Sequence, residues 1–216
     1  MEEKVLIIDS SPRAINFAIQ EEATLFMGIE RGAWKLAQNN IKMIMAIGDF
    51  DSISETELSY LKSVTNVIRL PSNKKHSDME SALILAKSYG FTKNYIICDI
   101  ARLDQLLMNI ELVKKYSLTM FTNFGMIVKL VPAMGNVYIR KGDYSFISFF
   151  PITKKVSLTT SNALAYPLPS VLKQSEVTTY ISNEMIGPVL SIELHEGELL
   201  VVQAIDPEYK WKDFRN

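Results

Sequence analysis

The sequence has few of the residues that build disulfides or zinc sites. Its 216 residues include one cysteine, Cys98, so no internal disulfide can form, and two histidines leave no zinc-type ligand cluster. A formal net charge of -1 argues against broad electrostatic binding to nucleic acid or to an anionic membrane. No apolar run approaches the ~20 residues of a membrane helix, and the acidic start does not resemble a signal peptide. We therefore expect a cytoplasmic protein with no nucleic-acid or membrane partner.

Up to about Phe124 the chain alternates short apolar runs with segments whose apolar residues recur at helical spacing. The strand-like runs are apolar on both faces, which is typical of strands buried between helix layers. They are KVLIID, TLFMGI, KMIMAIG, NVIRLP, KNYIICDI and SLTMFT. The helical segments are ERGAWKLAQNN, SETELSYLKSV, SDMESALILAKSYG and RLDQLLMNIELVKKY. This alternation predicts an open, largely parallel, Rossmann-like α/β sheet over residues 1–124.

From about Gly125 the pattern changes to short strands separated by Gly, Pro, Asn and Asp, with no convincing helix among them. The strand-like runs are MIVKLVPA, NVYIRKG, YSFISFFPIT, VSLTT, VTTYISNE and PVLSIELHEGELLVVQAID. Many short strands with regular turn signals are typical of all-β architectures. We predict that residues 125–216 form a β-sandwich or jelly-roll domain.

Acidic residues follow several of the predicted strands, where ligands of open α/β sheets bind. They are Asp9, Glu30, Asp49, Asp78 and Asp99. If Asp49 and Asp51 continue their strand, their side chains face one side, and with Glu30 they would suit a magnesium ion that also takes phosphate oxygens. The alternative is that Asp49 and Asp51 only shape a turn ahead of a helix capped by Ser54.

The stretch SNKKHSDME has two interpretations. Lys74 and Lys75 stand before a predicted helix with Asp78 at its opening, and a helix N-terminus with added positive charge suits an anion. The alternative is a solvated loop in which Ser77 caps the helix. We assign no chemistry to His76.

The stretch ARLDQ also has two interpretations. Arg102 can bind phosphate through its forked guanidinium group, and Asp104 can accept a hydrogen bond from a ribose or an amine. The alternative is a surface ion pair or a helix cap. The second histidine, His195, is assigned no chemistry either.

Taken together and in this order, the motifs resemble the thiamine pyrophosphokinase family nearly end to end. ERGAWKLAQNNIKMIMAIGDFDSIS is similar to the family's acidic-x-Gly segment, helix and GDFDS loop, and KKHSDMESALILA to its K-x-x-T-D-x-x-x-A stretch. RLDQLLMNI is similar to the R-x-D-H/Q region, FISFFPIT and AYPL to blocks of the β domain, and TYISNE to the S-N-E element. GDFDS is fairly specific, whereas the other motifs are weak one by one.

The resemblance implies an enzyme that transfers a pyrophosphoryl group from ATP to thiamine, giving thiamine diphosphate and AMP. It also implies magnesium and a homodimer with each active site at the subunit interface. The implied catalytic residues are Asp49, Asp51 and Asp78, which with Glu30, in place of a family aspartate, are also the implied metal ligands. The implied nucleotide-binding residues are Ser52, Lys74, Ser77, Arg102 and Asp104. The implied thiamine-binding residues are Gln105, Ser182 and Asn183.

The chain also departs from the family pattern. Ser10 and Ser11 replace a glycine pair in the first loop, and Ile100 and Ala101 replace two glycines before the arginine. Glycine there would allow close backbone approach to phosphate. Lys75 replaces a residue that is more usually acidic. These departures leave an alternative open, in which the chain binds thiamine or a nucleotide without efficient turnover.

Overall fold

The computed structural model describes residues 4–8, 24–91 and 93–206, which divide into two compact units. The first unit comprises the described residues up to Leu112 together with Leu118–Asn123. The second comprises Val113–Ser117 and the described residues from Phe124 onward. The predictions for Asp9, Ser10 and Ser11 lie outside the described residues.

The first unit is built on six parallel strands among its described residues. They are β1 (Lys4–Ile8), β2 (Thr24–Ile29), β3 (Met45–Gly48), β4 (Val67–Arg69), β5 (Lys93–Ile97) and β6 (Thr119–Thr122). Their order is β4-β3-β2-β1-β5-β6, and each neighbouring pair is parallel. The predicted parallel α/β arrangement is therefore present, because parallel strands need the helical crossovers that the sequence pattern indicates.

A helix follows each of the strands β2, β3, β4 and β5. These helices are α1 (Arg31–Gln38), α2 (Glu55–Val64), α3 (Asp78–Ser88) and α4 (Leu103–Tyr116). A capping box starts α2, because Ser54 Oγ accepts from Glu57 N–H at 3.3 Å and Glu57 Oε2 accepts from Ser54 N–H at 2.7 Å. Ser77 Oγ caps α3 by accepting from Glu80 N–H at 3.1 Å. These caps fix where α2 and α3 begin.

Apolar packing holds the strand ends in place. All four residues of β3 are buried. Phe50, just beyond the end of β3, is 3% exposed and packs in a cluster with Leu58 and Leu61 of α2 and Ala33 of α1. Fully burying side chains of this size contributes about 1.5–3 kcal/mol each. The loop after β3 is therefore anchored by its own core residue.

The second unit contains antiparallel strands. They are β7 (Gly125–Leu130), β8 (Asn136–Arg140), β9 (Phe146–Pro151), β10 (Lys155–Thr160), β11 (Val171–Lys173), β12 (Val189–Glu196) and β13 (Leu199–Ala204). One set has the order β7-β13-β9 and the other has the order β11-β10-β12-β8. Alternate residues of both sets are buried in one shared cluster that includes Phe149, Leu158, Ile192 and Val201. Two strand sets around one core are typical of a sandwich, and the finer jelly-roll description stays a prediction.

One local prediction for this half is wrong. The segment VTTYISNE, predicted as a strand, begins within a 3₁₀ helix over Gln174–Thr179, and Asn183 makes only an isolated bridge with Ile147. A second 3₁₀ helix spans Pro132–Met134. Helices this short leave no 3.6-residue periodicity in the sequence. Within the described residues, no helix is long and apolar enough to cross a membrane.

Candidate functional site

Three adjacent parallel strands bring all four predicted catalytic and metal-binding carboxylates to one edge of the first unit's sheet. The strands β2, β3 and β4 end nearly level, because Ile29 pairs with Ile47 and Gly48 pairs with Arg69. The segments that follow them carry Glu30, Asp49, Asp51, Lys74 and Asp78. This is the edge at which open parallel sheets bind ligands.

Glu30 connects the end of β2 to the loop after β3. Its Oε1 accepts from the Phe50 N–H at 2.9 Å, and its Oε2 accepts from the Ser52 hydroxyl at 3.2 Å. Glu30 stands at the N-cap position of α1, yet its side chain makes no capping hydrogen bond. The carboxylate therefore holds the neighbouring loop instead of its own helix.

The backbone around this carboxylate is in unusual conformations. Glu30 has φ 51° and Phe50 has φ 59°, a region that non-glycine residues rarely adopt, and Gly48 has φ 156°. A Cβ placed on Gly48 would lie 1.8 Å from Glu30 Oε1. Such strain costs of order 1–3 kcal/mol at each residue and is concentrated at functional sites. Gly48 is therefore required by the position of the Glu30 carboxylate.

Asp49 and Asp51 lie close together in a turn, which is the alternative that the sequence left open, and not along a continued strand. The strand ends at Gly48, so the two residues lie in a turn and not along one face of a pleated strand. The turn passes through Phe50, whose positive φ changes the direction of the chain. Carboxylate oxygens of Glu30, Asp49 and Asp51 all lie within 4.8 Å of one another.

Lys74 links the β3 loop to the start of α3. Its Nζ donates to Asp49 Oδ2 at 3.0 Å and lies 2.9 Å from Asp78 Oδ1. Asp78 is the first residue of α3, directly after the Ser77 cap, and the Lys74 side chain is 14% exposed. One lysine thus neutralises carboxylates from two different segments.

The pKa values of the charged groups in this cluster are shifted in different directions. Desolvation by burial raises the pKa of the Glu30 carboxyl, the Phe50 N–H opposes this, and the charges of Asp78 and Asp49 raise it further. The hydrogen bond from Lys74 lowers the pKa of Asp49. Burial alone would lower the pKa of the Lys74 ammonium, but its contacts with the two aspartates outweigh burial and raise it. Lys74 therefore lies against Asp49 and Asp78, whereas burial and the two neighbouring aspartates leave the pKa of Glu30 raised.

The donor set fits a hard divalent cation. Magnesium prefers carboxylate and phosphate oxygens, and the close oxygens of Glu30, Asp49 and Asp51 are of this kind. Asp78 Oδ1 is a buried oxygen, and Lys74 Nζ lies 2.9 Å from it. The sequence predicted these four carboxylates. It did not predict that Gly48 leaves room for Glu30 Oε1 or that the Phe50 N–H donates to it. The glycine of GDFDS was the available signal.

Arg102, Asp104 and Gln105 lie at the start of α4. Arg102 and Asp104 form an ion pair with each other, and both side chains are 66% exposed. Asp104 Oδ1 also accepts from the Gln105 N–H at 3.0 Å. Among the departures from the family pattern, Ile100 is nearly buried and its N–H donates to Asn123 Oδ1 at 2.8 Å, whereas Ala101 is exposed. The structure thus has the surface pair that the sequence left open as an alternative.

Ser182 and Asn183 lie in the second unit and differ in exposure. The Asn183 side chain is buried, with 4% of the residue exposed, and makes three hydrogen bonds to backbone groups. It accepts from the N–H groups of Tyr166 and Glu184 at 3.1 and 2.8 Å and donates to the Tyr166 carbonyl at 2.6 Å. Ser182 is exposed, has φ 57°, and its N–H donates to Ser148 Oγ at 2.9 Å. Asn183 therefore holds the segment around Tyr166, which belongs to the AYPL block of the sequence analysis.

Replacing Asn183 by alanine is expected to destabilise the protein by about 2–4 kcal/mol, because three backbone polar groups would lose their partner in a buried place. Urea unfolding followed by circular dichroism measures the change. Ser182→Ala is the matched control, since its side chain is exposed, and it should cost less than about 0.5 kcal/mol. Equal midpoints for the two variants would contradict this role of Asn183.

The histidines, to which no chemistry was assigned, each have a polar partner. His76 Nδ1 lies 2.9 Å from Glu80 Oε2 on α3. His195 Nε2 lies 2.8 Å from Thr159 Oγ1 across the pair β10–β12. Neither contact involves a carboxylate of the cluster described above.

Comparison with known proteins connects this site to a family. Residues 18–124 match the family described as thiamin pyrophosphokinase, catalytic domain, and this range includes all the carboxylates of the cluster. The thiamine pyrophosphokinase of Bacillus subtilis (strain 168) is 26% identical over 198 residues, which cover 86% of this chain and 90% of that protein.

Solved structures share the fold. The crystal structure of thiamine pyrophosphokinase from Bacillus subtilis has a TM-score of 0.78 at 24% identity, covering 94% of this chain and 100% of that chain. Thiamin pyrophosphokinase from Candida albicans has a TM-score of 0.70 at 16% identity, covering 95% of this chain and 90% of that chain. The matched catalytic-domain sequence, with a relative aligned over most of the chain, places residues 18–124 in the thiamine pyrophosphokinase family, and the solved structures share the fold of the chain.

Proposed function

We propose that this chain transfers a pyrophosphoryl group from ATP to the hydroxyl of thiamine, giving thiamine diphosphate and AMP. The thiamine oxygen bonds to the β-phosphorus, the bond from that phosphorus to the α-phosphate oxygen breaks, and the hydroxyl proton is released. The observation that carries the proposal is the acidic cluster with Lys74 at three adjacent strand ends, in residues that match this family.

Asp49, Asp51 and Asp78, with Glu30 beside them, would hold magnesium. The bound ion would supply positive charge that neutralises the phosphate oxygens during transfer. The support is the close grouping of the Glu30, Asp49 and Asp51 oxygens and the contact through which Lys74 joins Asp78 to Asp49. Because both Glu30 oxygens already accept hydrogen bonds, Glu30 also keeps the loop of Asp49 and Asp51 in place.

Lys74, Ser52 and Ser77 would bind the triphosphate. Lys74 offers an ammonium group beside the cluster, and Ser77 stands at the N-terminus of α3, where free backbone N–H groups favour an anion. Arg102 and Asp104 would bind the rest of the nucleotide. Since these two now pair with each other in solvent, nucleotide binding would exchange that pair for new contacts.

Ser182 and Gln105 would contact thiamine, with Ser182 supplied by a second subunit of a homodimer. Ser182 of the S-N-E element is exposed and can reach a ligand. Asn183 is buried and would contribute by holding the backbone of Tyr166 in place. The homodimer, the division into a catalytic domain over residues 1–124 and a thiamine-binding domain over residues 125–216, and the cytoplasmic location stay predictions.

The protein's share of the catalysis is positioning and electrostatics. Phosphoryl-type transfer needs little covalent chemistry from the enzyme, because the attacking oxygen, phosphorus and leaving oxygen must mainly be aligned and their charge stabilised. Here Glu30 fixes the β3 loop, Lys74 offers positive charge, and the buried Phe50 keeps the loop from moving. These residues hold the geometry before the substrates arrive.

The test is a turnover assay with purified protein, ATP, magnesium and thiamine. We expect AMP and thiamine diphosphate to form in equal amounts, both measured by chromatography. ADP in place of AMP would contradict pyrophosphoryl transfer. If no product forms while thiamine or ATP still raises the melting temperature, the chain is the binding-only homologue that the departures at Ile100 and Ala101 left open.

A further inference from the structure

The Lys74 ammonium lies between the carboxylates of Asp49 and Asp78, in a place that a bound cation could also occupy. Its Nζ is 3.0 Å from Asp49 Oδ2 and 2.9 Å from Asp78 Oδ1, and the side chain is largely buried. Asp78 Oδ1 is itself buried, so its contact with the ammonium is shielded from solvent. The Lys74 ammonium group thus compensates the negative charges of Asp49 and Asp78.

Without a positive charge the cluster would oppose its own folding. Glu30, Asp49, Asp51 and Asp78 are four carboxylates contributed by segments that meet only in the folded chain, and like charges brought together raise the energy of that state. An ammonium and a divalent cation placed within a few ångströms of each other repel strongly in a partly buried site. Lys74 and a metal ion therefore cannot both sit between Asp49 and Asp78.

We propose that Lys74 is a resident counter-ion of the acidic cluster, which leaves Asp49 and Asp78 when magnesium binds and then contacts the nucleotide phosphates. This inference rests on the proposed function. The lysine stem is flexible and its ammonium is a compact charge, so the side chain can change partner without movement of the backbone. Lys74 is thus a positioning residue before metal binding and a phosphate ligand after it.

The test compares thermal unfolding of the wild type and Lys74→Met in increasing magnesium chloride, without ATP or thiamine and at constant ionic strength. Without magnesium, the variant should unfold about 4 °C or more below the wild type, because Asp49 and Asp78 lose their counter-ion and the cluster loses its nearby positive charge. Magnesium should then stabilise the variant more than the wild type, with an apparent affinity about tenfold tighter.

Lys75→Met is the matched control, since it removes the same charge from the adjacent, exposed residue, and its magnesium response should equal that of the wild type. If Lys74→Met does not fold without magnesium, Lys74→Gln replaces it, because the amide still donates a hydrogen bond without a charge. An equal magnesium response in wild type and Lys74 variants would overturn the inference while leaving the proposed function intact. If magnesium stabilises none of the proteins, the metal site of the proposed function fails and the inference fails with it.

Discussion

Asp51→Asn is expected to lower kcat/KM for pyrophosphoryl transfer by a factor of about 10²–10³ while leaving the fold intact. The Asp51 side chain is exposed and the change is isosteric, so folding should lose little. Its carboxylate oxygen nevertheless lies within 4.8 Å of those of Glu30 and Asp49, and the variant removes one charge from the proposed magnesium site. Steady-state kinetics over a range of magnesium concentrations measures the loss.

The control for Asp51→Asn is Asp143→Asn, the same change at an exposed position of the second unit. It should keep wild-type kinetics, and both variants should melt within about 2 °C of the wild type. If activity of Asp51→Asn falls only because its melting temperature falls, the residue is structural. Wild-type activity at every magnesium concentration would remove Asp51 from the site.

The α/β half was predictable because each of its signals is local. Strands that are apolar on both faces, such as β3, can be buried only between helix layers. Ser54 and Glu57 form the capping box that their spacing predicts, and Ser77 caps α3. Once the parallel sheet is accepted, the strand-end rule alone brings Glu30, Asp49 and the residues after β4 to one edge.

The detailed geometry of the site was not predictable, because it depends on contacts between segments far apart in sequence. Strand alternation predicts that Asp49 and Asp51 face one side, whereas a left-handed Phe50 in a turn brings them together. That conformation is maintained by the hydrogen bond from Phe50 N–H to Glu30, twenty residues earlier. No local pattern encodes such a contact.

The segment VTTYISNE shows the same limit in the β half. Val177, Thr178 and Thr179 have high strand propensity, yet they end a 3₁₀ helix. Tyr180 Oη accepts from the Lys173 N–H and donates to Glu176, so side-chain contacts stabilise the turn. Tertiary contacts of this kind override the propensity of three residues.

Gly48→Ala is expected to cost about 2–4 kcal/mol of folding free energy and to lower kcat/KM at least about 10²-fold. The new Cβ would lie 1.8 Å from Glu30 Oε1, so the carboxylate must move away from the Phe50 N–H. That movement releases the turn that brings Asp49 and Asp51 together. Urea unfolding and steady-state kinetics measure the two losses separately.

Gly90→Ala is the control that separates the two causes of the Gly48→Ala destabilisation, which are the clash with Glu30 and the backbone strain of alanine at a positive φ. Gly90 has φ 83°, and an added Cβ would meet no described atom within 4 Å, so the variant carries conformational strain of about 1 kcal/mol and no clash. In a Glu30→Ala background, Gly48→Ala should then cost only a similar amount, because the clashing carboxylate is gone. The resulting coupling energy between positions 30 and 48 reports how tightly the carboxylate is held over the glycine. Equal costs of Gly48→Ala and Gly90→Ala in the wild-type background would show that the Glu30 carboxylate does not need this glycine.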